Sequence, residues 1–307
     1  HINILWAGHV VHHSSEEYNL AVALRQSSLH GLMTWIFYAP LALIGIPWQM
    51  YVSTYALNLV YQFWIHTQAV GRLSKWMEFV MNTPSHHRVH HGINPRYLDR
   101  NHGGVFIIWD RFFGTFEPER EAVVYGITQP LRSWNPLWAN VHVYWDIARS
   151  FGRVRSWSER WNVVFGPPGR QRVFEEKPAS VKVEKYDPQI PAALAWYGLA
   201  QFMIVLTAAV VLLAVAEKLP LLHVAGAAFY IAVSLAAIAG IFEAARWAAP
   251  IEAARMGMLA GIGVTLWWND ALSGAFAIAV ALFCVASLLW FLPRREHLTE
   301  MEIAPIM

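Results

Sequence analysis

The chain has 307 residues, of which 56% are hydrophobic and only 14% charged, and its mean hydropathy is positive. An ordinary soluble domain is about half apolar and about a quarter charged, so this composition predicts a membrane protein. A net charge of +2 argues against nucleic acid as a partner, and the single cysteine excludes a disulfide framework within the chain.

The first feature along the chain is an H-x-x-H-H motif formed by His9, His12 and His13. In a helix, residues i, i+3 and i+4 share one face, so the spacing predicts three imidazoles directed at a single point. If the helix continues, Glu16 lies on the same face, either orienting an imidazole or remaining a solvated carboxylate. This arrangement predicts a metal site.

A predicted apolar hairpin follows, with arms at residues 32–50 and 51–65 that turn near Gly45 and Pro47. The second arm is short and contains the polar Gln62. It ends at His66, so we expect the arm to return His66 to the membrane face that carries the first histidine motif. Alternatively, His66 is an isolated histidine at the membrane interface.

The second H-x-x-H-H motif lies in NTPSHHRVHHGINP, which contains His86, His87, His90 and His91. With the earlier four, these make too many histidines for one ion, so two metals in one site or two neighbouring sites are predicted. Imidazole suits iron, zinc, copper or nickel, and ligand type alone does not choose among them. Isolated histidines are interpreted as non-ligands: His30, His102, His142, His223 and His297.

Residues 117–189 are polar and rich in tryptophan, and RSWNPLWANVHVYWDIARSFGRVRSWSERW is typical of one or two amphipathic helices. Such helices would lie on the membrane interface and cover the metal site, the alternative being a soluble cap. Arginines favour contact with an anionic membrane surface; they are Arg153, Arg155, Arg160, Arg170 and Arg172.

Four further apolar segments, at residues 192–216, 221–242, 256–268 and 271–292, bring the predicted spans to six. Basic residues concentrate in the intervals on one side, which the positive-inside rule assigns to the cytoplasm. Charged residues between two of the spans are expected to form ion pairs, or alternatively to contact a lipid headgroup; they are Glu243, Arg246, Glu252 and Arg255. The predicted fold is an all-α, polytopic integral membrane protein with a cytoplasmic, histidine-rich di-metal site.

The two histidine motifs, the intervening WIHT and the run NTPSHHRVHHGINPRYLDRNHGGVFIIWDRFFGTF resemble the fatty acid hydroxylase or sterol desaturase superfamily of membrane oxygenases. Within it, HSSEEYNLAVALRQS and YGITQPLRSWNPLWAN are most similar to the alkylglycerol monooxygenase branch. The resemblance implies a catalytic domain at residues 1–165. We expect a polar linker at 166–190, transmembrane helices at 191–293 and a cytoplasmic tail at 294–307.

The resemblance further implies an oxidoreductase in which two iron ions activate O2 to hydroxylate a C–H bond of a lipid from the bilayer. A separate electron donor is implied, either tetrahydrobiopterin or a cytochrome- or ferredoxin-type protein. The implied ligands are His9, His12, His13, His66, His86, His87, His90 and His91. Asn94, Asp99 and Asn101 are expected to hydrogen-bond these ligands, although turn formation explains them almost as well. Asp110 and Arg111 are either a pair beneath the site or an interfacial anchor.

In the superfamily a first box, H-x-x-x-H, precedes the other two, and this sequence lacks it. We therefore expect an N-terminally truncated domain that binds metal poorly and is inactive as it stands. The favoured reaction is cleavage of an alkylglycerol ether, with hydroxylation or desaturation of a sterol, carotenoid or fatty-acyl chain as the alternative. An alternative of another class is a non-enzymatic zinc-binding membrane protein.

Overall fold

The computed structural model of the protein describes residues 2–169 and 184–298, and every regular element in those ranges is helical. Two isolated β-bridges, Met81 with Phe106 and Gly92 with Tyr125, are the only extended pairings there. The all-α prediction is confirmed for this part of the chain. Two compact units can be separated: His1–Leu131 with Ala139–Lys185, and Arg132–Trp138 with Tyr186–Met307.

Most helices before residue 170 are short. They are α1 (Asn3–Ala7), α2 (Val10–His13), α3 (Leu20–Leu24), α4 (His30–Leu43), α5 (Trp48–Trp64), α6 (Lys75–Val80), α7 (Pro84–His90), α8 (Ile108–Phe113), α9 (Pro136–Arg153) and α10 (Trp157–Phe165). The last two confirm the predicted amphipathic helices. A capping box between Ser156 and Glu159 begins α10. Arg170 and Arg172, counted among the predicted membrane-facing charges, lie outside the described residues.

Helices α4 and α5 form the predicted hairpin, which turns at Gly45 with a positive φ of 82°. They have 14 and 17 residues, and neither contains a fully buried residue. A helix needs about 20 residues to cross the hydrocarbon core without help. The hairpin is therefore at or below the length of a full span, and its apolar side chains face outward.

The second unit consists mainly of α11 (Ala192–Val215), α12 (Leu221–Phe242), α13 (Ala248–Trp268) and α14 (Gly274–Phe291). Among the described residues, three stretches are long and apolar enough to cross a membrane: Ala192–Lys218, Leu221–Phe242 and Gly274–His297. Helices occupy all six predicted positions. Three of these helices, α11, α12 and α14, are long and apolar enough for a full membrane span.

Helix α13 differs from the prediction because it begins eight residues before the expected span and includes Glu252 and Arg255. Both side chains are buried, and the Arg255 Nε donates to Glu252 Oε2 over 2.8 Å. The pair neutralises its own charges, so the helix continues through them. Glu243 instead accepts hydrogen bonds from the Ser133 hydroxyl at 2.7 Å and the Asn135 N–H at 3.0 Å.

Candidate metal centre

Four buried histidines from three parts of the chain converge in the first unit: His12, His66, His87 and His91. One ring nitrogen from each lies within 4.8 Å of the others. The His66 Nε2 is 3.1 Å from the His12 Nε2 and 3.0 Å from the His87 Nε2. Helix α2, the segment just after α5, and helix α7 with its C-cap residue thus supply one set of donors, which we call the four-histidine group.

A second set, the three-histidine group, contains His9, His13 and His90. The Nε2 atoms of His9 and His13 are 3.0 Å apart. The two groups adjoin, because the His13 ring stacks on the His91 ring with centroids 4.3 Å apart. The prediction of two neighbouring sites describes this arrangement, whereas the prediction that each motif directs three imidazoles at one point does not.

Helix geometry explains why each H-x-x-H-H motif divides. Successive residues are rotated by about 100°, so the last two histidines of a motif face different directions, whereas the first and last are about 40° apart. His9 and His13 accordingly join one group while His12 joins the other. His87 and His91 pair in the same way, and His90 crosses to the three-histidine group.

Hydrogen bonds to main-chain carbonyls fix three of the rings. The Nδ1 of His12 lies 3.1 Å from the Val22 oxygen, and the Nδ1 of His66 lies 2.6 Å from the Gln62 oxygen. A carbonyl only accepts, so each Nδ1 carries the proton and each Nε2 presents a lone pair to the group. His90 is held similarly by the Arg100 oxygen. Two lone pairs 3.1 Å apart, on His12 and His66, repel each other unless a cation lies beside them.

Burial keeps these imidazoles neutral. Desolvation, followed by the proximity of the other rings, lowers the pKa of His13, His87 and His91 well below the usual 6.5. Desolvation likewise lowers the pKa of His66 and His90 to about 4 in each case. Neutral imidazole is the form that binds metal.

The donors also fit metal ions by geometry. Two nitrogens that each lie about 2.1 Å from one ion, at a right angle, are about 3.0 Å apart. The closest Nε2 pairs in both groups match this separation at 3.0–3.1 Å. Within the described residues, the buried His91 Nε2 has no hydrogen-bond partner. A bound cation would satisfy that atom.

His86 lies outside both groups, in contrast to the set implied by the sequence resemblance. Its Nε2 is 3.0 Å from Glu78 Oε2, and its Nδ1 is 3.3 Å from the Thr83 hydroxyl. At about 100° from His87 around α7, it faces the helix N-terminus and the end of α6 instead of the other histidines. His86 therefore serves the network that holds α7.

Glu78 is a residue that sequence reasoning missed, and no motif marks it. Its carboxylate accepts hydrogen bonds from the Leu73 N–H and from the hydroxyls of Thr83 and Ser85. Burial by itself would raise the pKa of Glu78, but the bonds from His86, Leu73 and Thr83 outweigh it and lower the pKa to about 2. An ionised Glu78 thus fastens the start of α7.

Arg88, between two ligands of α7, was also missed. It is 6% exposed and binds Glu119 through two parallel bonds of 2.9 and 2.7 Å. Its Nη1 donates to the carbonyls of Thr67 and Val70, which lie one and four residues after His66. One guanidinium therefore fixes the His66 segment against α7.

The residues expected to hydrogen-bond the histidine side chains mostly bond main-chain atoms instead. Helix α2 ends at His13, so the helical continuation that would place Glu16 on the ligand face is absent. Asn94 bonds the main chain of Ala122 and Val124. Asn101 touches the histidine region through a bond from its Nδ2 to the His86 carbonyl. Asp99 and Asn101 both have positive φ, 56° and 54°, as the turn interpretation requires.

Asp110 and Arg111 do not form the pair that was one of the two alternatives for them. Asp110 accepts from the N–H groups of His102 and Gly103, both at 2.7 Å. Arg111 donates to the Glu78 carbonyl and lies over the Phe116 ring. The isolated histidines lie outside both groups: His30, His102, His142, His223 and His297.

Comparisons with known proteins show what this part of the chain is similar to. Residues 1–115 match the fatty acid hydroxylase family. Over 168 residues the chain is 49% identical to the alkylglycerol monooxygenase of Homo sapiens, covering 55% of this chain and 37% of that protein. The Xenopus tropicalis alkylglycerol monooxygenase is 44% identical over 212 residues, covering 67% and 47%.

The chain spans less than half the length of these curated relatives. No solved structure matches it. The family match covers the residues that supply both histidine groups. Residues 1–115 therefore belong to the fatty acid hydroxylase family.

Proposed function

We propose that the protein is a membrane-bound oxidoreductase that uses two iron ions and O2 to hydroxylate a C–H bond of a long-chain lipid. The observation that carries this proposal is the pair of adjoining all-histidine groups, of which the four-histidine group is buried throughout. Three helices apolar enough to span a membrane support a substrate that arrives from the bilayer. By the positive-inside rule, the histidines lie on the cytoplasmic side.

The four-histidine group would hold one ion and the three-histidine group the other. When bound, an iron pair supplies the one-electron chemistry that O2, a triplet in its ground state, needs to react with a C–H bond. The residues of the chain orient the histidine rings and exclude water from the site. The Gln62 and Val22 carbonyls orient the rings of His66 and His12, and burial keeps water out.

The lipid is proposed from the relatives, whose names specify alkylglycerols. Insertion of one oxygen atom next to the ether oxygen gives a hemiacetal, which separates into a fatty aldehyde and glycerol. The second oxygen atom leaves as water after uptake of two electrons and two protons. A separate donor would supply these electrons, either tetrahydrobiopterin or a cytochrome- or ferredoxin-type protein. We also propose residues 1–165 as the catalytic part and residues 191–293 as its membrane anchor.

The test is incubation of the protein in lipid nanodiscs with 1-O-hexadecylglycerol, ¹⁸O2 and tetrahydrobiopterin, followed by mass spectrometry. We would use the chain as given and the same chain extended upstream by an H-x-x-x-H box, with His91→Ala as the matched inactive control. Labelled hexadecanal from the extended chain alone supports both the reaction and the expected need for that box. Hydroxylated or desaturated sterol or acyl lipid without aldehyde favours the alternative substrates. Tightly bound zinc with no O2 consumption would favour the non-enzymatic metal protein.

A further inference from the structure

Helices α4 and α5 and the segment at Val105 and Phe106 enclose a partly open cavity of about 840 Å³. Ligand-binding cavities typically have about 300–1,000 Å³, so its volume suits an organic ligand. No lysine, arginine, aspartate or glutamate lines it. The lining therefore favours an uncharged molecule and disfavours a carboxylate or phosphate inside the cavity.

One face of α5 connects this cavity with the four-histidine group. Tyr51, Tyr55 and Asn58 line the cavity, and Gln62 continues the same row at intervals of three or four residues. From Tyr51 to Gln62 the row extends about 16 Å at 1.5 Å per residue. His66 follows just after the helix ends, with its Nδ1 2.6 Å from the Gln62 carbonyl oxygen. A ligand lying along this face would reach from the hairpin turn to a histidine of the group.

The end of the cavity near the histidines is polar. The Tyr61 hydroxyl donates to the Asn82 carbonyl at 2.7 Å, and the Asn82 Nδ2 lies 3.5 Å from the His87 Nδ1. Gly104 packs against Asn58 and Gln62, where an added Cβ would lie 3.4 and 3.2 Å from their side-chain atoms. Uncharged donors and acceptors thus lie closest to the metal-binding residues.

The opposite end, at the hairpin turn, is apolar and lined by Leu41, Ile46 and Met50. Between the two ends, the Tyr38 ring lies 5.2 Å from the Tyr51 ring and 6.1 Å from the Tyr55 ring, narrowing the space between the helices. The cavity therefore has an apolar end far from the histidines and a polar end near them. A lipid with one uncharged polar end matches this polarity.

We propose that this cavity binds the hydrocarbon chain of the substrate, with its ether or hydroxyl oxygen towards Asn58 and Tyr61 and its methyl end towards Ile46 and Met50. This rests on the proposed function, because it assigns the chain of that same substrate. In this orientation the carbon next to the ether oxygen lies at the end of the cavity nearest the histidines. Thr54 lies midway along the lining, so the chain passes beside it, and a larger side chain there would restrict the cavity to shorter chains.

The experiment is photo-crosslinking in nanodiscs with an alkylglycerol that carries a diazirine at the chain end, followed by peptide mapping. We expect labels near Ile46 and Met50 that excess 1-O-hexadecylglycerol removes. Thr54→Trp should lower this labelling about tenfold and favour shorter chains. The matched control Val60→Trp changes an exposed residue of the same helix outside the cavity lining and should behave like the unmodified protein.

Metal content and elution volume must match those of the unmodified protein for both variants. Uncompeted labels spread over the lipid-facing sides of α4 and α5 in the unmodified protein would overturn the cavity assignment without any variant. Equal labelling of the two tryptophan variants would also overturn it. Competed labelling at the turn without any oxidised product would leave the cavity assignment standing and refute the proposed function instead.

Discussion

Replacing Arg88 by methionine should destabilise the first unit strongly. The change leaves the Glu119 carboxylate without its two charge-assisted bonds and the Thr67 and Val70 carbonyls without their donor. Removing one partner of a buried ion pair costs about 3–5 kcal/mol. Glu119 remains 22% exposed, so we expect the lower end of that range, about 3 kcal/mol.

The effect should extend to metal binding, because Thr67 follows His66 directly. Loss of a residue that orients a ligand lowers metal affinity by about 10–100-fold. Arg88→Lys should show much of this loss, since lysine cannot form the parallel pair of bonds with Glu119. The assays are thermal unfolding in detergent, followed by tryptophan fluorescence, and competition for iron with a coloured chelator.

Arg120→Met is the matched control, because Arg120 pairs with Glu117 while 58% exposed. It should cost less than about 1 kcal/mol. In the double variant Arg88→Met with Glu119→Met, the destabilisation should be smaller than the sum of the two single effects. Equal losses of stability from Arg88→Met and Arg120→Met, or unchanged metal affinity in Arg88→Met, would refute the role assigned to Arg88.

Three further outcomes follow from the structure. Glu78→Gln should lower the free energy of unfolding by about 2 kcal/mol at neutral pH, because hydrogen bonds to a charged carboxylate are lost. The contribution of Glu78 to stability is fully present above pH 4.5 and disappears as the pH falls through about 2. An unchanged melting temperature of the variant at pH 7 would contradict this. Burial lowers the pKa of His12, His66 and His90 in the folded protein from 6.5 to about 4, so protons bind the unfolded state first. The metal-free protein should therefore lose stability as the pH falls from 6.5 towards about 4, and these histidines should make no difference above pH 6.5. A pH titration of the melting temperature checks this. Alanine at Trp157 and Trp161, which are 76% and 65% exposed on one face of α10, should weaken binding of a peptide of residues 136–169 to anionic vesicles, and unchanged partitioning would instead favour a soluble cap.

The spacing of the histidines predicted that they would lie close together, because helical periodicity constrains neighbours along the chain. It did not predict which histidines of the two motifs share a group. That depends on how α2 and α7 lie against each other, which places His12 with His87 and His91 and leaves His9 and His13 with His90. His86 is adjacent to a ligand in sequence but turns to Glu78, a contact that only the packing of α6 against α7 creates.

The membrane helices show the same distinction. Long apolar runs identified α11, α12 and α14, where local composition is sufficient. The start of α13 was misplaced because Glu252 and Arg255 suggest a polar loop when read singly. Their mutual bonds, and one from Arg255 to Gln201 on α11, neutralise them inside the unit. A tertiary contact of this kind leaves no periodic trace in the sequence.

The most direct test of the two-ion proposal is the iron content per chain, measured by elemental mass spectrometry on detergent-purified protein extended upstream by an H-x-x-x-H box. His91→Ala and His13→Ala each remove one donor from a different histidine group. We expect about two irons per chain, falling towards one in each variant. One tightly held zinc, no metal, or a content that neither variant changes would contradict it.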